Sequence, residues 1–166
     1  MRILGIDPGI ALTGFGVVDK DGGRIRHGGY GHISTESGTP IPERLKVLYD
    51  NMSDIMEEYR PDVMAVEELF FNKNAKTAIV AAQARGVIIL SAVNSGVRVV
   101  EYTPLQVKQA VIGYGRASKQ QVQFMVKELL RLKEVPRPDD TADALAIAIC
   151  HAHSMDAADI MERNRK

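Results

Sequence analysis

Four acidic residues of this 166-residue sequence stand where carboxylates could do chemistry together. Asp7 and Glu67 each follow a short apolar run that predicts a β-strand. Asp140 and Asp143 are three residues apart in a segment that predicts a helix, so they share one helix face near its N-terminus. Because carboxylates at strand ends and at a helix start can converge, the sequence predicts a single acidic cavity.

A cavity that holds three or four carboxylates needs a counterion, because at interior dielectrics their repulsion reaches several kcal/mol. A divalent cation bound through oxygen ligands is the usual remedy. Two Mg²⁺ ions about 4 Å apart are suited to in-line attack on a phosphodiester, one activating water and the other stabilising the leaving oxygen. The acids therefore predict hydrolysis of a nucleic-acid backbone.

Each acid also has a plainer interpretation. Asp7 precedes Pro8-Gly9 and could simply hydrogen-bond its own turn. Glu67, with Glu68 beside it, could mark the exit of a strand into solvent. Asp139 or Asp140 could cap a helix and meet its dipole, which is the role favoured for Asp139. Asp143 is harder to explain in this way, because a strongly apolar helical segment follows it.

The elements that must position these acids follow from hydrophobic periodicity and turn residues. The sequence predicts strands at 2–6, 13–18, 24–34, 63–66 and 97–102, and helices at 45–59, 74–93, 104–112, from 118 onward and at 141–153. The first three strands form an antiparallel meander, and the order is β-β-β-α-β-α-β-α-α-α. We expect one α/β domain over residues 1–155 and a polar, disordered tail at 156–166.

The composition is that of an ordinary folded protein, with 45% hydrophobic and 25% charged residues. The single cysteine, Cys150, excludes an internal disulfide and favours an intracellular, cytoplasmic location. No apolar run approaches the ~20 residues of a membrane span. The 21 cations balance 21 anions overall, yet residues 104–133 carry six cations and one anion. That asymmetry fits a nucleic-acid partner or a solvated helix face about equally well.

Five blocks share their order and spacing with one protein family: GIDPG (5–9) with TGFGV (13–17), AVEELF (65–70), QARG (83–86), QVKQ (106–109) and DTADALA (140–146). They resemble the RuvC Holliday junction resolvases of bacteria. The resemblance implies an RNase H-like fold with a mixed five-stranded sheet, three strands antiparallel and then parallel strands, flanked by helices. It also implies a homodimer that nicks two opposing strands of a four-way DNA junction.

The resemblance assigns roles by position. It makes Asp7, Glu67, Asp140 and Asp143 the catalytic acids, with two Mg²⁺ per active site as the expected cofactor and Mn²⁺ as an alternative. Further positions are expected to contact DNA: Lys108 and Lys119 near the scissile phosphate and backbone, and Phe70 on the bases of the junction. The family further suggests the branch-migration complex RuvA-RuvB as a partner.

Arg116 lies with Gly113 and Gly115 in a loop that we interpret, from the residues themselves, as a DNA-backbone contact. Core packing is the plainer alternative for Phe70, and an idle surface position is the plainer alternative for Lys119. The four histidines lack a metal-binding spacing, since His151 and His153 fall on different faces of a helix.

Two other function classes compete with a junction endonuclease. An actin-like ATPase or kinase also uses an Asp-x-Gly turn before a glycine-bearing hairpin to bind phosphates, but it needs two such domains to enclose a nucleotide. A non-catalytic junction-binding module is disfavoured by the four acids, because carboxylates near phosphates weaken binding unless a metal neutralises them.

Overall fold

The computed structural model describes residues 1–68 and 75–163. Within them the strands are β1 (Arg2–Asp7), β2 (Leu12–Asp21), β3 (Arg24–Ser34), β4 (Val63–Glu67) and β5 (Arg98–Tyr102). The helices are α1 (Ile41–Tyr59), α2 (Ala75–Asn94), α3 (Pro104–Ile112), α4 (Lys119–Leu130) and α5 (Asp139–Arg163). Their order along the chain is the predicted one.

The strands form one mixed sheet in the order β3-β2-β1-β4-β5. β1 pairs antiparallel with β2, and β2 pairs antiparallel with β3 across the two-residue turn Gly22-Gly23. Gly22 has φ of 55°, a left-handed value that tight hairpin turns require. β4 is parallel to both β1 and β5, and its first four residues are buried, as expected of a central strand covered on both faces.

Each face of the sheet carries its own hydrophobic core. One core joins the sheet to α3, α4 and α5, and the other joins it to α1 and α2. α5 supplies a continuous buried run from Ala144 to Ala152, so the segment that follows Asp143 lies in the interior. The helix that carries two of the acids is thereby fixed against the middle of the sheet.

Small residues let α5 lie directly on the strands. A Cβ at Gly5 would come within 2.0 Å of the Ala144 carbonyl oxygen, far inside van der Waals contact. A Cβ at Gly16 would come within 2.6 Å of Leu145 Cγ. The position of α5 is therefore set by contact with the strand backbone, which only glycine permits at these points.

Two predicted helix boundaries are wrong. α1 begins at Ile41 rather than Leu45, because proline is tolerated in the first helical turn and Pro42 does not delay the start. α5 ends at Arg163, ten residues beyond the predicted end at His153. The segment after His153 is polar, but it contains alanine, methionine and glutamate, which favour helix. The division into a domain of 1–155 and a tail stays a prediction.

Among the described helices, none combines the length and apolar character needed to cross a bilayer.

Candidate active site

β1 and β4 are neighbouring parallel strands, and each ends in an acidic residue. Ile6 and Val66 are paired in the register, so Asp7 and Glu67 follow them at the same edge of the sheet. Neighbouring strands lie about 4.8 Å apart. Both carboxylates line one cleft, as the sequence predicts for acids at the ends of parallel strands.

The first turns of α5 bring the other two acids to the same edge. The Asp140 carbonyl lies over Gly14, which is the register partner of Asp7. Asp143, almost one turn later, joins Asp7 and Glu67 in lining a cleft of about 230 Å³. Asp140 does not line this cleft, although its charge acts on both Asp7 and Asp143.

Two lysines complete the polar lining of this cleft, which we call the catalytic cleft. Lys108 comes from α3 and Lys119 from the start of α4. The ammonium Nζ of Lys119 is 2.8 Å from Oδ2 of Asp143 and 3.7 Å from Oδ2 of Asp139. Carboxylates that can hold cations therefore lie beside ammonium groups that can hold phosphate oxygens.

A capping box fixes the helix start that carries Lys119. The Ser118 hydroxyl accepts a hydrogen bond from the backbone N–H of Gln121 at 3.2 Å, and Gln121 Oε1 accepts one from the Ser118 N–H at 2.8 Å. These bonds satisfy two N–H groups that a helix start leaves unpaired. The predicted cap is confirmed, and it holds Lys119 at the mouth of the cleft.

The electrostatics of the cleft combine burial of its carboxylates with crowded negative charge. Burial, with the charges of Asp143, Glu67 and Asp140, raises the pKa of Asp7 from its usual 3.8 to about 7, against the opposing charge of Lys119. The Asp7 carboxyl group is therefore half protonated near neutral pH, because it is buried beside other carboxylates.

The neighbouring groups shift in keeping with this crowding. Burial and the charge of Asp143 raise the pKa of Glu67, while Lys108 and Lys119 oppose the rise. Burial also raises the pKa of Asp143, against its hydrogen bond from Lys119. For Lys119, burial acts to lower the pKa, but the hydrogen bond and charge of Asp143 raise it above its usual value.

The donor set fits a hard divalent cation. Mg²⁺ takes oxygen ligands, and carboxylates with excess negative charge are what it binds. The high pKa of Asp7 is the observation that supports this fit. Across residues 1–68 and 75–163, however, no three acidic, histidine or cysteine side chains are closed into a complete ligand cluster. Two-ion binding by these acids thus stays a prediction.

The other predicted contact residues fall in different places. Arg116 is exposed in the loop between α3 and α4 and does not line the catalytic cleft. Phe70 lies outside the described residues. The sequence assigned no role to Glu68, and its N–H donates to the carbonyl of Tyr102, an ordinary continuation of strand pairing.

Arg85 of α2 contacts the end of β4, the strand that carries Glu67. The sequence analysis did not single out this arginine. Its Nε donates to the backbone carbonyl of Glu67 at 3.3 Å, and its Nη2 lies 2.8 Å from Oε2 of Glu101. Arg85 thus joins the ends of β4 and β5. The QARG block that contains Arg85 was the only feature of the sequence that could have indicated this contact. Hydrophobic periodicity places an arginine on a helix but does not predict that it bonds to a strand end.

Comparison with known proteins decides the family. The family model "Crossover junction endodeoxyribonuclease RuvC" matches residues 3–151. The chain belongs to the RuvC family. The RuvC of Brevibacillus brevis is 65% identical over 152 residues, 92% of each chain. The RuvC of Caldanaerobacter subterraneus subsp. tengcongensis is 60% identical over 154 residues, 93% of each chain.

Solved structures agree with the RuvC assignment. "T. thermophilus RuvC in complex with Holliday junction substrate" superposes with a TM-score of 0.87 at 37% identity, covering 95% of this chain and 96% of that one. The yeast mitochondrial Holliday junction resolvase Ydc2 shares the fold, with a TM-score of 0.68 at 14% identity over 91% of this chain and 77% of that one. The RNase H-like fold and the endodeoxyribonuclease class predicted from the sequence are confirmed. RuvC membership also favours the nuclease over the kinase-like and non-catalytic alternatives.

Proposed function

We propose that this chain binds four-way DNA junctions and resolves them by symmetric nicks in two opposing strands, during recombination and DNA repair. The observation that carries the proposal is the catalytic cleft, where acids from β1, β4 and α5 lie beside two lysines. Relatives are named as crossover junction endodeoxyribonucleases, and one solved relative holds junction DNA.

We propose that Asp7, Glu67, Asp140 and Asp143 hold two Mg²⁺ ions. When bound, these ions supply an activated water and charge stabilisation at the leaving oxygen for in-line hydrolysis of a phosphodiester. The chain's own part is to hold the carboxylates at fixed strand and helix ends. Lys108 and Lys119 draw the DNA backbone into the cleft. Arg116 contacts the DNA backbone, and Phe70 stacks on bases of the junction.

Incubation with a synthetic mobile four-way junction tests the proposal. With Mg²⁺ or Mn²⁺ we expect paired, symmetric nicks on the junction, and no cleavage of linear duplex or single strands of the same sequence. Denaturing gels of end-labelled strands measure the cut sites. Equal nicking of the linear duplex would contradict selectivity for junctions.

Lys119→Ala tests the phosphate role of the lysine at the cleft mouth. Because each phosphate contact releases about one counterion, the slope of log affinity against log salt should fall by about 1, and junction binding should weaken. Titrations by fluorescence anisotropy at several salt concentrations measure both. Lys46→Ala is the matched control, since Lys46 pairs with Asp50 on α1, away from the cleft. An unchanged slope would leave Lys119 without a DNA contact.

An apolar stripe on α2 supports a homodimer. Ile79, Leu90 and Val93 are 60%, 52% and 60% exposed, at helical spacings of 11 and 3 residues. Gly86 lies between them along the same face, and a Cβ there would meet no atom within 4 Å. A second copy crossing at Gly86 would bury this stripe, and a two-fold interface would give two active sites to two opposing strands.

Leu90→Glu is expected to convert the homodimer to a monomer, because a charge would be buried in an apolar interface without a partner. Sedimentation at micromolar protein should show the halved mass. Junction cleavage should shift from paired nicks to unpaired single nicks. Phe124→Glu, an equally exposed site on α4 at 55%, should leave the sedimenting mass unchanged. A wild-type chain that is a monomer with and without DNA would contradict the homodimer.

One further expectation rests on the single cysteine, Cys150, and a second rests on family resemblance. We propose a cytoplasmic location, where the chromosome of a bacterium is, and contact with the branch-migration complex RuvA-RuvB. Co-sedimentation of the chain with purified RuvA-RuvB on a junction tests the contact. A sedimentation profile unchanged by RuvA-RuvB would contradict it.

A further inference from the structure

A second cavity, of about 590 Å³, lies at the end of the sheet opposite the catalytic cleft. The β2–β3 hairpin and the C-terminal end of α4 line it, and among its residues are Arg24, Arg26 and Arg131. In the register, Arg26 faces Asp19 and Asp19 faces Arg2. The cavity is thus at the starting end of β1, whereas the catalytic cleft is beyond its last residue, Asp7. We call this the hairpin cavity.

The three arginines of the hairpin cavity are not neutralised by the protein. Within residues 1–68 and 75–163, none of them forms an ion pair. Asp19, opposite Arg26, accepts instead from Arg2 Nε at 2.8 Å. Asp21 is opposite Arg24 at the exposed hairpin turn and makes no ion pair with it. Three unpaired guanidinium groups around one opening are suited to phosphate groups.

The backbone at Arg131 allows its guanidinium to be removed without disturbing the end of α4. Arg131 ends α4 in the left-handed region, with φ of 54°, where glycine is the usual residue because a Cβ is disfavoured there. The Arg131 N–H bonds to the Glu128 carbonyl and the Leu132 N–H to the Lys127 carbonyl, which is the hydrogen-bond pattern of a Schellman cap. The cap thus carries an arginine that lines the cavity, at a position where glycine would be less strained.

α4 connects the two cavities. It begins at Lys119 in the catalytic cleft and ends next to Arg131 in the hairpin cavity. Its 12 residues span about 18 Å at 1.5 Å per residue. One DNA strand rises about 3.4 Å per nucleotide along the duplex axis, so this distance, measured along that axis, corresponds to about five nucleotides.

We infer that the hairpin cavity binds the sugar-phosphate backbone of a junction arm, about five nucleotides from the phosphate cut in the catalytic cleft. The inference rests on the proposed junction binding and adds a contact remote from the chemistry. Its arginines are complementary in charge to DNA, and α4 places them about 18 Å from Lys119. An acidic protein segment is the competing occupant, and the experiment separates the two.

Junction binding is measured by anisotropy in a buffer without divalent cations, as a function of salt. The test variant is Arg131→Gly, which removes the guanidinium and should leave the melting temperature equal or higher, because glycine relaxes the left-handed cap. The slope of log affinity against log salt should fall by about 0.9. The double variant with Arg24→Gln and Arg26→Gln should lower it by about 1.8.

The matched control is Arg60→Gly. Arg60 ends α1 in the same left-handed conformation, with φ of 46°, but α1 covers the other face of the sheet. The melting temperature of Arg60→Gly should also be equal to that of wild type or higher. Its slope of log affinity against log salt should not change. Loss of DNA binding by Arg131→Gly alone therefore cannot be ascribed to unfolding or to general loss of charge.

The position of the contact is tested on the DNA side. Some junctions are made with neutral methylphosphonates about four to seven nucleotides from the cut. For wild type, the slope of log affinity against log salt should be lower on these junctions than on the unmodified junction. On the modified junctions, Arg131→Gly should not lower that slope further. Equal slopes for wild type, Arg131→Gly and the double variant would overturn the inference and leave an acidic protein segment as the occupant. A wild type that binds linear duplex as tightly as the junction would instead count against the proposed function.

Discussion

Asp7→Asn is expected to abolish junction cleavage while leaving junction binding as tight as in wild type or tighter. The substitution keeps the shape of the side chain but removes one of the negative charges that a divalent cation would bind, so cleavage should fall on the order of 10³-fold or more. Binding is preserved because a repulsive charge that faces the DNA phosphates is removed. Single-turnover cleavage and anisotropy measure the two effects on one substrate.

Glu68→Gln is the matched control, because Glu68 is the acid next to the catalytic strand end and does not line the cleft. Glu68→Gln should cleave at close to the wild-type rate. If Asp7→Asn cleaved the junction at the wild-type rate in Mg²⁺, the assignment of Asp7 as a metal ligand would be wrong. Loss of both cleavage and binding would instead indicate a misfolded protein.

The raised pKa of Asp7 also predicts how the stability of the protein depends on pH. Since the folded state raises the pKa of Asp7 from 3.8 to about 7, folding is penalised once Asp7 ionises. The penalty is absent below about pH 3.8, grows up to pH 7, and is full above it, with an upper bound on the order of 4 kcal/mol at 1.36 kcal/mol per unit. Without divalent cations, the free energy of unfolding should therefore decline from pH 5 to pH 8.

Asp7→Asn should remove much of this decline and should melt at a higher temperature than wild type at pH 8. Urea unfolding at several pH values, with and without Mg²⁺, measures it. Parallel pH profiles for wild type and Asp7→Asn would contradict a raised pKa. Glu67 and Asp143 shift in the same direction, so a shallower decline should remain in the variant.

Gly14→Ala is expected to cost both stability and activity. The added Cβ would lie 2.0 Å from the carbonyl oxygen of Asp140 and 2.3 Å from its carbonyl carbon. Since the clash is with backbone, it can be relieved only by moving the start of α5 away from the sheet, at a cost of about 3 kcal/mol. The melting temperature should fall by roughly 10 °C, and the acids of α5 should separate from Asp7.

Gly23→Ala serves as the control for Gly14→Ala. A Cβ at Gly23 meets nothing within 4 Å and the residue has no left-handed φ, so stability and cleavage should be close to wild type. Calorimetry and cleavage rates are measured on both variants. A Gly14→Ala protein with wild-type melting and cleavage would contradict the seating of α5 on the β2 backbone.

Most of the sheet was predictable because its strands carry strong local signals. The apolar run before Asp7, the turn at Gly22-Gly23 and the buried run before Glu67 each depend on neighbouring residues only. Asp143 was likewise recognisable, since an acid at the start of a buried helix needs a partner. The helix boundary at Ile41 was missed because proline was taken as a break when it stood in the first turn.

What could not be predicted depends on contacts between distant segments. The 2.8 Å pair between Lys119 and Asp143 joins the start of α4 to α5, and no local pattern indicates it. The same holds for the hydrogen bond from Arg85 to the Glu67 carbonyl. Gly5 and Gly16 could be recognised from the sequence as glycines within strands. Their close contact with α5 could not be predicted, because it depends on which helix crosses these strands.

The seating of α5 on bare strand backbone has a consequence for how this protein can diverge. Where main chain touches main chain, the spacing between the acids of α5 and those of the strands does not depend on which aliphatic side chains fill the interior around them. Repacking of neighbouring core positions therefore leaves the acids in place, provided that glycine is kept at the crossing points. We therefore expect relatives that keep these glycines to superpose closely even at the 37% identity of the T. thermophilus structure, whose TM-score is 0.87.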